Sequence, residues 1–160
     1  MTSLTIGAAT DDDLPAALEV IRTAFAEHEG VLDPPSSVTR ETLDSFRARM
    51  GAGRLLVAEA DGQTVGCVLC RPEEDFVYFG RLAVLPAWRG RGIARQLVEH
   101  VEAEARAWGL WRVQLATRIA LPHLRASYER MGYRVVSAHA HAGYSAPTYI
   151  TMEKDLTAHD

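Results

Sequence analysis

The sequence predicts an α/β protein built on one mixed sheet flanked by helices, and three observations predict it. Apolar periodicity gives one strand, two helices, three strands, then helix, strand, helix and two strands. An Asp61-Gly62 pair joins two of the early strands as an antiparallel hairpin. The long helix from about Gly90 to Trp108 can cross over to a parallel neighbour, which makes the sheet mixed. With 160 residues, 48% of them hydrophobic, the chain has the length and the core material of one domain, 1–160.

Each element has a local reason. Leu4 to Ala8 is a short apolar strand. Thr10-Asp11-Asp12-Asp13 then opens a helix, because carboxylates favour its positive end and Pro15 is tolerated in the first turn. Leu14, Leu18, Ile21 and Phe25 form its buried stripe, which ends near Glu29-Gly30. Asp33-Pro34-Pro35-Ser36-Ser37 is a loop, and Leu43, Phe46 and Met50 mark a more polar helix stopped by Gly51. Strands at Leu55–Ala60, Thr64–Cys70 and Phe76–Leu85 follow, the last two separated by Arg71-Pro72-Glu73-Glu74-Asp75. Ile93, Leu97, Val101 and Ala105, widened by Ala94 and Val98, face the core from the long helix, and Gly109 ends it. Trp111–Thr117 is a strand, Pro122–Met131 a helix closed by Gly132, and Tyr133–Ala138 and Thr148–Met152 are the final strands.

Seventeen basic and twenty-one acidic residues leave a formal net charge of −4. No global field gathers nucleic acid, and no basic run interleaved with aromatics offers base stacking. No stretch approaches the roughly 18 apolar residues of a membrane span, and the segment opening at Met1 lacks a secretion signal. Cys67 and Cys70 form a C-x-x-C, but three residues apart on a strand they point to opposite faces and read as buried thiols. A cytoplasmic chain is expected. His139 and His141 point the same way and would share a metal only with a third ligand, for which no suggestive spacing exists. No metal site is expected; exposed histidines or site lining is the expectation. Trp88, Trp108 and Trp111 read as anchors at element ends.

The informative segment runs from Leu82-Ala83-Val84 through Arg89-Gly90-Arg91-Gly92-Ile93-Ala94-Arg95. A strand ends, a glycine turn follows, and a helix begins with its first amides unpaired, which suits a pyrophosphate. Gly90 and Gly92 clear the approach, and Arg89, Arg91 and Arg95 add positive charge. Glycines before a helix also make plain turns. A dinucleotide fold wants a third glycine where Arg95 stands, and a P-loop wants Gly-Lys-Ser/Thr, which is missing.

This stretch resembles the acyl-CoA signature of the GNAT (GCN5-related N-acetyltransferase) superfamily, Gln/Arg-x-x-Gly-x-Gly/Ala, met by Arg89, Gly92 and Ala94. Ser127-Tyr128-Glu129-Arg130-Met131-Gly132-Tyr133 is similar to the family's later helix, so the resemblance spans nearly the whole chain. It implies a GNAT-like acyl-CoA N-acyltransferase fold and acetyl transfer from acetyl-CoA to a primary amine of a small molecule, peptide or protein. Leu82, Ala83 and Val84 would hold the pantetheine and acyl group, with the Val84 N–H facing the thioester carbonyl. The backbone of Arg89 to Ala94 would hold the pyrophosphate, with Arg95 nearby. Tyr128 would protonate the departing thiolate, or would only pack there and hydrogen-bond the sulfur. Family members are often dimers, so a homodimer is also implied.

Two departures stand out. The strand Phe76–Arg81 lacks the carboxylate that often serves as base, which leaves Glu27, His28, Glu29 or, through a water, Glu73, Glu74 and Asp75. Leu121 stands where an asparagine is usual. A non-catalytic acyl-CoA sensor or scaffold is the first alternative, and a dinucleotide-dependent oxidoreductase the second. The acidic balance leans toward a small cationic acceptor.

Overall fold

The computed structural model describes residues 3–157; Met1 and Thr2 of the opening segment lie outside them. Strands β1 (Leu4–Ala8), β2 (Arg54–Ala60), β3 (Gln63–Pro72), β4 (Val77–Val84), β5 (Arg112–Arg118), β6 (Arg134–His139) and β7 (Tyr149–Asp155) form one sheet. Its order is β1-β2-β3-β4-β5-β7-β6, antiparallel except at β4–β5. Helices α1 (Leu14–Phe25) and α2 (Leu43–Met50) precede β2, α3 (Ile93–Ala107) joins β4 to β5, and α4 (Pro122–Arg130) follows β5. This is the expected mixed sheet with flanking helices.

Two cores divide the faces. Leu14, Leu18, Ile21 and Phe46 from α1 and α2 pack with Leu55, Val57, Cys67, Leu69 and Ala83. On the other face, Ile93, Leu97, Val101 and Ala105 of α3 pack with Val68, Cys70, Val77, Phe79 and Val113. Cys67 and Cys70 therefore do lie on opposite faces, and burial raises both thiols to about 12. Asp61 and Gly62 have φ of 54° and 76°, the left-handed pair a tight hairpin turn requires. Among the described residues no helix is long and apolar enough to cross a membrane.

The long helix starts at Ile93 rather than Gly90. Gly90 and Gly92 have φ of 77° and 78°, which an α-helix cannot contain, so the turn extends to the residue before Ile93.

Strand β4 carries an extra residue. Cys67 pairs with Ala83 but Leu69 with Gly80, so Arg81 and Leu82 together oppose Val68. Arg81 takes the left-handed conformation, φ 55°, at this bulge. Before it, Val77 and Phe79 face α3; after it, Ala83 faces α1 and Val84 faces α3. The bulge therefore inverts the inside-outside phase of the strand just ahead of the glycine turn.

Candidate functional site

Strands β4 and β5 pair only at Val77–Val113 and Tyr78–Gln114, then part. The gap opens a cleft of about 790 Å³, within the range of small-molecule sites. Leu82, Ala83 and Val84 line one wall. The Leu85 N–H donates to the Val65 carbonyl at 2.9 Å, so by alternation the main-chain groups of Val84 face away from β3 and into the gap. The Val84 carbonyl accepts from Arg89 Nε at 3.3 Å.

The cleft continues to the start of α3, where Gly90, Gly92, Ile93, Ala94 and Arg95 line it. Gly92 is the N-cap and supplies no side-chain cap, so the first amides of α3 remain for a ligand. The three arginines of the turn behave differently from one another. Arg89 is tied to Glu27 at 2.7 Å. Arg91 lies over the Trp88 ring at 4.6 Å and does not line the cleft. Arg95 does line it and donates to the Arg130 carbonyl at 3.4 Å, beside a second cleft arginine, Arg130. At this end of the cleft Arg95 and Arg130 supply charge, and Arg91 does not.

Tyr128 reaches the cleft from α4, with its ring edge-on to Phe79 at 6.0 Å and to Tyr133 at 6.4 Å. Burial pushes its phenol above the ordinary value, so it is protonated at neutral pH. No hydrogen bond to another described residue occupies its hydroxyl. Leu121, which replaces the usual asparagine, is buried and lines the same wall.

Of the proposed proton acceptors only Glu27 and His28 line the cleft. Glu29, Glu74 and Asp75 do not, and Glu73 is paired with Arg71 at 2.8 Å. The Arg89 hydrogen bond, working against desolvation, holds Glu27 below the usual carboxylate range. Burial, opposed by Glu27, holds His28 below 6.5, so its imidazole is neutral near pH 7. His28 Nε2 lies 3.6 Å from Glu27 Oε1, and its Nδ1 is buried without a partner.

The face covered by α1 and α2 carries residues that no local signal announces. Arg49, Arg71, Arg81 and Arg118 line the cleft together with Tyr78, Ser37, His141 and Tyr149. The four arginines come from α2, β3, β4 and β5, and only the closed sheet brings them together. Glu41, buried and itself away from the cleft, accepts from Arg49 Nε at 3.0 Å, from Arg81 Nε at 3.1 Å and from the Ser45 hydroxyl. Arg81 also donates to Ser37 Oγ at 2.8 Å, and Arg118 to the Pro34 carbonyl at 2.7 Å. Among the described residues Glu27 is the only carboxylate lining the cleft, and Arg89 already holds it, so the cleft lends no support to the expected lean toward a cationic acceptor.

His139 and His141 flank the Tyr149 ring at 5.0 and 4.9 Å, and only His141 reaches the cleft. Among the described residues no three His, Cys, Asp or Glu side chains gather as a metal site. Trp88 and Trp108 pack on the core as expected of anchors. Trp111 does not, since it is 48% exposed.

A parted strand pair beside an open helix N-terminus frames this cleft, and comparison with known proteins gives the family. The Acetyltransferase (GNAT) family matches residues 18–133. An uncharacterized N-acetyltransferase of Escherichia coli, YjgM, is 32% identical over 130 residues, covering 78% of each chain. The solved PaiA N-acetyltransferase of Thermoplasma acidophilum, in complex with coenzyme A, superposes with a TM-score of 0.82 at 18% identity, over 96% of this chain and 99% of that one. The ribosomal-protein-S18-alanine N-acetyltransferase of Escherichia coli superposes with a TM-score of 0.79 at 20% identity, over 99% and 97% of the two chains. The chain belongs to the GNAT acetyltransferase family. It is an N-acetyltransferase whose donor is acetyl-CoA, which displaces the oxidoreductase alternative.

Proposed function

We propose that the chain transfers the acetyl group of acetyl-CoA directly to a primary amine within a ternary complex. The observation that carries this reading is the gap itself: Val84 turns its main chain into the cleft, Tyr128 stands at its wall, and the first amides of α3 end it. Those amides, with Arg95, hold the diphosphate, while Leu82 to Val84 hold the pantetheine arm and the acyl group. The Val84 N–H donates to the thioester oxygen, where negative charge grows as the amine attacks.

An ammonium has no lone pair, so a proton must leave it first. His28, neutral at pH 7 and beside Glu27, takes that proton at Nε2. The amine nitrogen then bonds to the carbonyl carbon, the carbon–sulfur bond breaks, and the second proton that the nitrogen sheds as the amide forms restores the Tyr128 phenol. Tyr128 gives its proton to the departing thiolate, a step typically worth roughly 10²–10⁴ in rate. Neither cysteine lines the cleft, which favours direct transfer over an acyl-enzyme. The protein acts in the cytoplasm, where the donor and reduced thiols occur together.

Thiol release from acetyl-CoA across an amine panel, with one acetyl group gained by the acceptor in the mass spectrum, tests the reading. Both protein thiols are buried and raised to about 12, so they add little background to a thiol reagent. Tight coenzyme A binding with no amine acetylated would favour the sensor alternative.

A further inference from the structure

We infer that the acceptor is an anionic amine: a small molecule carrying, besides its amino group, a carboxylate or similarly compact oxyanion that the arginines on the α1/α2 face receive. The inference rests on the transferase reading and adds the substrate class.

The charge balance around the cleft carries it. Arg49 and Arg81 share one carboxylate, that of Glu41, so this pair keeps one net positive charge. Arg71 is matched by Glu73. Arg118 has no carboxylate within 4.0 Å among the described residues; it feels the charge of Asp33, which accepts from the Tyr144 hydroxyl, only from farther away. Among the described residues, two positive charges on this face of the gap thus have no carboxylate of their own within 4.0 Å. Desolvation lowers both Arg81 and Arg118 from their ordinary values, and solvent screens Arg81, whose side chain is 12% exposed, poorly. An entering anion would restore the balance, whereas a second cation would add to the strain.

The guanidinium groups are also held in place. Arg81 donates to Ser37 and Glu41, and Arg118 to the carbonyls of Pro34 and Pro35 at 2.7 and 3.4 Å. One segment, residues 34–41, therefore fixes both arginines, one from each strand bordering the gap. A guanidinium so oriented keeps other N–H groups for a planar oxyanion, which it can grip with two parallel bonds. Arg71 lies over the Tyr78 ring at 5.0 Å, and Tyr78 feels Arg71, Arg81 and Arg49 together. The acceptor half of the cleft is positive on both sides of the place where an amine must approach Val84. An oxyanion on these arginines leaves the amino end of the same molecule free to reach the acyl group.

The test uses the full chain, acetyl-CoA and matched acceptors: free α-amino acids, their amides, their aminophosphonate analogues, and diamines. The expected result is a kcat/KM at least 100-fold higher for the acids or the phosphonates than for amides and diamines, and the better of the two identifies the oxyanion. Arg118→Gln should raise the KM for the anionic acceptor at least tenfold with coenzyme A affinity within twofold of wild type. Arg118→Lys should recover part of that loss. Amides or diamines acetylated as well as the acids would overturn the inference and leave the transferase reading standing. If no amine turns over, the transferase reading fails, and binding decides this one separately. An N-acetylamino acid that binds the coenzyme A complex at least tenfold tighter than its amide, in wild type but not in Arg118→Gln, supports it; equal binding of the two overturns it.

Discussion

The two halves of the cleft are made of different materials. At the coenzyme end, one contiguous stretch, Leu82 to Arg95, supplies main-chain amides, two left-handed glycines and a helix terminus. At the acceptor end, side chains from α2, β3, β4, β5 and β7 converge, and long cationic groups dominate. On the proposed reading the first half receives the coenzyme, which every reaction shares, and can be built from backbone. The second half must select one acceptor, and only side chains carry that information.

This contrast can be broken or sharpened by substitution. The largest effect belongs to the boundary between the halves. Tyr128→Phe should lower kcat by about 10²–10⁴-fold, with coenzyme A affinity within about twofold of wild type, as measured by steady-state kinetics and calorimetry. Unchanged turnover would leave Tyr128 as packing against Phe79 and Tyr133.

Glu41→Ala comes next and probes the support beneath the acceptor half. It leaves Arg81, whose side chain is 12% exposed, without a counter-charge, and should cost about 3–5 kcal/mol in urea unfolding. A loss below about 1 kcal/mol would mean that water reaches these arginines freely.

His28→Gln should lower kcat at pH 7 by roughly 10²-fold. The sign of its pH dependence follows from burial, which holds the imidazole below 6.5. The wild-type acid limb of kcat should therefore fall below pH 6.5. In the variant the rate should instead climb toward the ionisation of an ordinary amine, near pH 10. A wild-type profile already following the amine would remove His28 from this role.

In the coenzyme half, backbone should matter more than side chains. Gly92→Ala forces a Cβ into φ 78° and should cost roughly 1–2 kcal/mol of stability while weakening coenzyme A binding. Arg91→Ala should change that affinity less than about threefold, because its guanidinium lies on Trp88. A tenfold loss on Arg91→Ala would show that the side chain leaves Trp88 when the ligand binds.

The same contrast explains how much the sequence could disclose. The coenzyme half is local: a strand end, Gly90, Gly92 and a helix start lie within one window, so the position of the turn is legible. Its detail is less so. Nothing in the spacing of Arg89, Arg91 and Arg95 says that Glu27, 62 residues away, takes the first. Nor does it say that the tryptophan three residues earlier in the chain takes the second. Of the acceptor half, only His141 as site lining and, through the family resemblance, Glu27 and His28 are legible. Arg81 meets Glu41 across 40 residues and Arg118 meets Pro34 across 84, and such pairings exist only after the sheet has closed. Overall acidity misleads there, since net charge averages a surface while a pocket samples a few groups.

The doubled position opposite Val68 makes the gap sensitive to register more than to composition. Were Arg81 and Leu82 threaded in regular two-residue alternation, with no doubled position, everything beyond would slip by one place against β3 and turn over. Ala83 would then be carried to the α3 side, and the Val84 amide would swing back toward β3. The wall would close on itself although no side chain had changed. The register of one strand, rather than the identity of any one side chain, keeps the cleft facing its ligand.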